Sequence, residues 1–159
     1  MHGAASHSLD IGTLLLGRYE ILREIGRGGA ATTYLAHDRR WGTDVALKLL
    51  RHESQELVEI LEAEFARLRE LFHPHLCQVH EIEEASTGSS SGLLFYTADY
   101  VPGTTFGQFA AGADWETVRR PLGDALEALG LLHAVGLVHG DFKPGNILVG
   151  PDLEPKLLD

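Results

Sequence analysis

The chain changes character once, at Val101-Pro102-Gly103, and that break constrains its fold more than any total does. Upstream, runs rich in aliphatic, aromatic and threonine residues alternate with glycine- and serine-rich turns, the signature of strands. Strands are predicted over Tyr19–Ile25, Thr32–Ala36, Val45–Leu50, Cys77–Ile82 and Leu93–Tyr100. One helix is predicted over Glu53–Phe72, ended by His73-Pro74 because the residue before proline avoids the α region. Downstream, Asp114 caps a helix from Trp115 to His133 on which Val118, Leu122, Leu126, Leu129 and His133 recur at helical spacing. Pro121 requires that helix to start late or to bend. Two short strands, Ile147–Val149 and Lys156–Leu158, flank the turn at Gly150-Pro151-Asp152. An α+β chain in two lobes results: a tail and lead-in over 1–18, a strand-rich lobe over 19–98, a connector over 99–103 and a helical lobe over 104–159. The first eight residues read as a frayed tail and Ala85–Gly92 as a flexible hairpin loop.

Charge narrows the choice of partners. Thirteen basic against 23 acidic residues give a net charge of −10, which repels nucleic acid and anionic membrane surfaces, so an anionic ligand must be held by local groups. No apolar run approaches the roughly 18 residues of a membrane span, and Met1–Leu9 lacks the basic start of a secretory leader. The single cysteine, Cys77, fits a reducing cytoplasm and reads as a small buried hydrophobe. His37, His52, His75, His80 and His133 share no metal-ligand spacing and are assigned to structure or surface. Only three lysines occur, Lys48, Lys143 and Lys156, so each marks a place where a compact ammonium replaces the prevailing arginine.

Two of those lysines lie in motifs. Gly26-Arg27-Gly28-Gly29 joins two predicted strands, either as a plain hairpin turn or as a loop whose backbone N–H groups converge on phosphate oxygens. In Val45-Ala46-Leu47-Lys48, alternation sets Ala46 and Lys48 on one face, about 7 Å apart, where a flat ring could rest on Ala46 while Lys48 reaches attached phosphates. On the following helix, Leu57, Leu61, Leu68, Leu71 and Phe72 form a stripe with Glu64 near its centre. Glu64 is therefore read as an inward carboxylate pairing with Lys48, and Glu56, Glu59, Glu62 and Glu70 as a solvated face. His139-Gly140-Asp141-Phe142-Lys143-Pro144-Gly145-Asn146 places a carboxylate, an ammonium and an amide in one constrained loop. There Asp141 can accept a hydroxyl proton, Lys143 can neutralise charge on a migrating phosphoryl group and Asn146 can offer an oxygen to Mg²⁺.

In order and spacing these motifs resemble the N-terminal portion of a eukaryotic-type serine/threonine protein kinase domain of the Hanks type found also in bacteria, ending at the Asp of Asp-Phe-Gly. The glycine-rich loop matches Ile25 to Thr33, the phosphate-anchoring lysine Lys48, the helix glutamate Glu64, the catalytic loop His139 to Asn146, and the metal-binding aspartate Asp159. The resemblance implies a bilobal α+β fold with a five-stranded antiparallel N-lobe sheet, one helix and the first part of a helical C-lobe. It implies transfer of the ATP γ-phosphoryl group to Ser or Thr hydroxyls of a protein substrate in the cytoplasm. Asp141, Lys143, Lys48 and Glu64 would be catalytic and Asn146 and Asp159 would hold Mg²⁺. Nucleotide would be held by Ile25, Gly26, Gly28, Gly29, Thr33, Ala46, Lys48, Asp99, Val101 and Leu148.

The chain departs from the family pattern at several places. Ala31 stands where a third glycine is usual, Thr33 where valine is usual, and Ala98 at the gatekeeper position, so the pocket is expected to accept ATP analogues with bulky ring substituents. Gly140 replaces the common arginine of the catalytic loop, which implies activity independent of a phosphorylated activation segment. Nothing follows Asp159, so the stripe from Val118 to Leu129 is expected to face water in want of a downstream half, and the chain by itself to be weak or inactive. Two other classes share these features: an ATP-binding pseudokinase or scaffold, and a small-molecule phosphotransferase resembling aminoglycoside and choline kinases.

Overall fold

A strand-rich unit and a helix-rich unit divide the chain, and the division is not a single cut. The first unit takes the residues up to Glu70 together with Val79–Tyr100, and the second takes Leu71–Gln78 together with Val101 onward. A computed structural model describes residues 8–51, 55–86 and 92–158, with residues 55–57 traced as helix backbone. The predicted tail before Ser8, the tip of the 85–92 loop, His52, the start of the first helix, the side chains of Glu56 and Leu57, and Asp159 lie outside the described residues.

The first unit is built on an antiparallel sheet of β1 (Leu14–Leu15), β2 (Tyr19–Arg27), β3 (Ala31–Asp38), β4 (Thr43–Leu50), β5 (Val79–Ala85) and β6 (Leu93–Asp99), in the order β1-β2-β3-β4-β6-β5. Five of these are the expected strands. The sixth, β1, adds two residues of the lead-in to the edge of β2, too short a run to announce itself. Alternation sorts the strands into two faces. One buries Tyr19, Ile21, Tyr34, Ala36, Val45, Leu47, Leu49 and Phe95 in a continuous core, with Tyr19 edge-on to Phe95 at 5.6 Å between ring centroids. Leu9 packs against the same core, and its N–H donates to the Tyr34 hydroxyl at 2.9 Å.

Across the sheet, Thr33 pairs with Lys48 and Lys48 with Tyr96, while Leu35 pairs with Ala46 and Ala46 with Ala98, so these side chains share the opposite face. Helix α1 (Gln55–Arg69) lies on that side, with Phe65 against the Tyr96 ring at 5.6 Å. At the sheet's end, Arg18 grips the buried Asp38 with two hydrogen bonds of 2.9 and 2.7 Å and also reaches Glu81, which accepts the Tyr19 hydroxyl at 2.8 Å.

Strand β5 begins later than predicted. Cys77, half-buried, instead donates its backbone N–H to Leu157, and Leu76 bridges the same residue, so the expected strand start belongs to the second unit.

In that second unit, β7 (Thr104–Thr105), β8 (Ile147–Val149) and β9 (Pro155–Leu157) form a small antiparallel sheet in that order. The unpredicted α2 (Phe106–Ala110) is nucleated by a reciprocal cap: the Thr105 hydroxyl accepts the Gln108 N–H while the Gln108 side chain accepts the Thr105 N–H. Helix α3 (Trp115–Ala134) starts as predicted, on Asp114, whose carboxylate accepts the Thr117 N–H at 2.9 Å. It runs through Pro121 as one helix, which forfeits the bond Thr117's carbonyl would otherwise receive but buries the ring fully. It ends on Gly136, whose φ of 75° is the left-handed turn that satisfies the last carbonyls. The buried face of α3 is Pro121, Ala125, Ala128 and Leu132, packed over β9. The larger residues of the predicted stripe lie beside it: Val118, Leu122 and Leu129 are half-buried and Leu126 is exposed. Small alanines let the helix backbone approach the sheet, so proximity rather than side-chain size decides the contact.

Candidate active site

The glycine-rich loop is a tight reversal between β2 and β3, closed by Gly28 N–H donating to the Ala31 carbonyl at 2.9 Å. Arg51 ties it back from the end of β4, its guanidinium on the Gly29 carbonyl at 3.1 Å. Neither Gly28 nor Gly29 has a positive φ. A Cβ at Gly29 would meet nothing within 4 Å, and one at Gly28 only the Ala31 carbonyl at 3.7 Å. Neither backbone conformation nor internal packing therefore demands glycine here. What glycine supplies is open, exposed backbone that an outside group can approach.

Behind the loop, Lys48 is half-buried with its ammonium 5.7 Å from the centre of the Tyr96 ring, and Thr33 stands beside it in register. Ala46 and Ala98 form the next rung, with Val79 paired to Ala98 on the far side. Ile25, Gly26, Gly28 and Gly29 are exposed, and Asp99 accepts a contact of 2.9 Å from His80, a partner the sequence did not reveal. Glu64 corrects an expectation. It is exposed, because the buried stripe of α1 runs through Val58 and Phe65 and leaves Glu64 at its border, so the buried inward carboxylate read from the sequence is absent. Glu64 nevertheless rides on the helix that covers Lys48's face of the sheet.

In the second unit the three polar residues of the 139–146 loop come together. Lys143 Nζ lies 2.6 Å from Asp141 Oδ2, and the Asn146 amide donates at 2.9 Å both to that oxygen and to the Asp141 carbonyl. The turn Pro144–Asn146, closed by Asn146 N–H on the Lys143 carbonyl, bends the chain so that residues 141 and 146 meet. His139 holds the loop from beneath. Its Nε2–H donates to the Leu158 carbonyl at 2.7 Å and its Nδ1 accepts the Asp141 N–H at 3.3 Å, a pair of bonds that one neutral tautomer satisfies. Its ring also meets Phe142 edge-on. These contacts make His139 a prop of the loop.

Gly140, between prop and carboxylate, has a φ of 76°, so here the glycine answers a backbone requirement. The Lys143 ammonium, and to a lesser extent the Asn146 amide, hold the Asp141 carboxyl below the usual carboxylate range, so it is charged at neutral pH. Both N–H bonds of the Asn146 amide face Asp141, which leaves Oδ1 as a neutral acceptor. That hard oxygen suits a magnesium ion, together with a carboxylate such as Asp159, which lies outside the described residues. Leu148 and Val101 are half-buried, Leu148 in register with Thr105 and Lys156.

The family model described as protein kinase domain matches residues 19–159. The chain belongs to the protein kinase domain family.

Serine/threonine-protein kinase PknA of Mycobacterium tuberculosis strain H37Rv is 34% identical over 156 residues, covering 94% of this chain and 36% of that protein. CBL-interacting protein kinase 19 of rice is 36% identical over 152 residues, 93% of this chain and 29% of that kinase. Among solved structures, the Mycobacterium tuberculosis PknI kinase domain superposes with a TM-score of 0.78 at 27% identity, over 96% of this chain and 62% of that one. The chain thus spans about a third of the length of its curated relatives. The kinase-like α+β fold expected from the motifs is the fold it has.

Proposed function

We propose that this chain carries the nucleotide-binding and catalytic-loop elements of a serine/threonine protein kinase, which transfers the γ-phosphoryl group of ATP to Ser or Thr hydroxyls of a protein substrate. The Asp141–Lys143–Asn146 cluster carries this reading, set in a protein kinase family to which PknA, a serine/threonine-protein kinase, belongs.

Asp141 orients the acceptor hydroxyl and takes its proton as the oxygen attacks the γ-phosphorus and the bond to the β,γ-bridging oxygen breaks, releasing ADP. Because its carboxyl is held below the ordinary range, Asp141 is ready as a base throughout the neutral region and passes the proton on to solvent. Lys143, at its side, neutralises charge that spreads over the phosphoryl oxygens in transit. Lys48 anchors the phosphates under the exposed glycine loop, and Ala46 seats the adenine with Ile25, Thr33 and Asp99; Val101 and Leu148 are assigned to nucleotide on the family resemblance alone. Glu64 is assigned to Lys48 as its partner when nucleotide is bound, since it rides on the helix that covers Lys48's face of the sheet. Asn146 and Asp159 would hold Mg²⁺, which supplies positive charge to the phosphates. A cytoplasmic setting accompanies this reading; no described helix is long and apolar enough to cross a membrane.

The test is Asp141→Asn in the intact protein, assayed for transfer of labelled γ-phosphate to a protein acceptor and, separately, for ATP binding. Transfer should fall by about 10²–10⁴-fold with ATP affinity unchanged. Wild-type turnover in the variant, or transfer to an aminoglycoside or choline and not to protein, defeats the reading.

A further inference from the structure

The segment between α1 and β5 brings His75 to a place that phosphoryl transfer leaves unused. His75 is buried, its side chain 11% exposed, against α3 and the turn before β9. Nδ1 contacts the Pro155 carbonyl at 3.2 Å, with Glu154 Oε2 3.5 Å away on the same side. That carbonyl can only accept, so Nδ1 donates to it, and Nε2 is the ring nitrogen left to ligate. Nε2 faces Asp124 Oδ2 at 3.9 Å, beyond hydrogen-bond range. A ring nitrogen standing 3.9 Å from a carboxylate, out of hydrogen-bond range, leaves room for a cation between them.

The remaining neighbours agree. His73 stacks edge-on against His75 and accepts its backbone N–H at 3.2 Å, fixing the loop. Two carboxylates flank the imidazole, and Arg120, a turn before Asp124 on α3, reaches both, 3.7 Å from Asp124 and 3.3 Å from Glu154. The Arg120 side chain is 75% exposed, so it can withdraw to water at little cost and leave two carboxylates beside the imidazole.

We infer that His75, Asp124 and Glu154 form a site for a divalent transition-metal ion of the zinc type, separate from the nucleotide site. One ligand atom from each residue lies within 4.8 Å of the others. Bonds of about 2.0–2.2 Å to nitrogen and oxygen place tetrahedral ligand atoms about 3.4 Å apart, so to close the site on Nε2 Asp124 draws in slightly and Glu154, whose side chain is 40% exposed, turns from the Nδ1 edge of the ring toward Nε2. The Pro155 carbonyl already provides the outer hydrogen bond that orients a ligating histidine. An imidazole ligand selects zinc-like ions over magnesium, which prefers an all-oxygen octahedron. Bound there, the ion ties the loop after α1, helix α3 and the turn before β9 into one staple. Sequence spacing concealed this arrangement, since its members stand at positions 75, 124 and 154.

Zinc alone, titrated calorimetrically into the full chain in chelator-free buffer containing magnesium, tests the inference, with the fold of each variant checked by circular dichroism. Wild type should bind one equivalent with affinity that His75→Asn and Glu154→Gln each weaken at least about tenfold. Arg120→Gln should bind zinc several-fold more tightly, because the competing guanidinium is gone; a purely structural ion-pair network predicts no such gain. Glu154 is partly exposed, so its variant keeps the test decisive if His75→Asn fails to fold. Absence of saturable binding in wild type overturns the inference. So does binding that survives both ligand substitutions, since it would belong to the other histidines, or an Arg120→Gln variant that binds no better than wild type.

Discussion

Replacing Arg18 with methionine, which keeps the length of the side chain and removes its charge, should unfold the strand-rich unit more readily than any loss of packing explains. Asp38 has a side chain only 3% exposed, and Arg18 is 15% exposed. Without the guanidinium, Asp38 retains the Arg40 backbone N–H at 2.9 Å but has no counter-charge. Breaking a buried pair from one side costs about 3–5 kcal/mol. A cleft of about 290 Å³, lined in part by Arg18, Asp38 and Glu81, admits water beside the orphaned carboxylate and sets the expectation at the lower end. A loss of about 3 kcal/mol corresponds to a fall in melting temperature of roughly 6–12 °C for a chain of this size. Urea denaturation followed by circular dichroism reads the free energy directly.

The pH dependence supplies a second signature of the same pair. Burial by itself raises the Asp38 carboxyl, but the Arg18 guanidinium and the Arg40 N–H outweigh it and hold the group below its ordinary value of 3.8. In wild type the pair therefore contributes stability above about pH 4, which is lost as pH falls through the depressed folded value. In the variant only the backbone N–H groups of Arg40 and Trp41 oppose burial, so the carboxyl shifts upward from its wild-type position, and the penalty is largest near neutrality and shrinks as acid protonates Asp38. Arg18→Met/Asp38→Asn, which removes both charges, should recover much of the loss. A single variant within 1 kcal/mol of wild type, or a double variant as unstable as the single, would refute the reasoning.

Gly140→Ala should lower stability by about 1–2 kcal/mol in urea denaturation through backbone strain alone, since φ is 76° and the added methyl meets nothing within 4 Å. Asn at the same position, which tolerates that conformation better, should cost less; equal costs count against the backbone explanation. Ala98 is nearly buried with Ala46 and Val79 as its cross-strand neighbours, so the intact protein should use ATP analogues carrying bulky substituents on the adenine amino group. Ala98→Met should abolish that use while sparing ATP, and a wild type that excludes the analogues contradicts the expectation.

Local chemistry was the most legible part of this chain. Strand alternation around Lys48, the Asp114 cap and the 139–146 loop are each encoded within a few residues, and the structure bears out the expected shared face of Ala46 and Lys48, the helix start and the polar cluster. Which face of a helix is buried was less legible, because the reading weighted large apolar residues. On α1 the stripe passes through Val58 and Phe65, which moves Glu64 to the border. On α3 the contact belongs to Ala125 and Ala128, whose value is closeness to β9 and not surface area. Long-range pairings such as Arg18 with Glu81, or His75 with Asp124, leave no trace in spacing and emerge only once separate segments meet.

The placement of Leu71–Gln78 shapes how the protein can be made. Leu76 and Cys77 find their partner in Leu157, so this stretch emerges from the ribosome long before its companion is synthesised. Strands β1 to β6 can assemble around it while it waits. Neither unit is an uninterrupted stretch of chain, and cutting the gene at a single boundary would divide one of them.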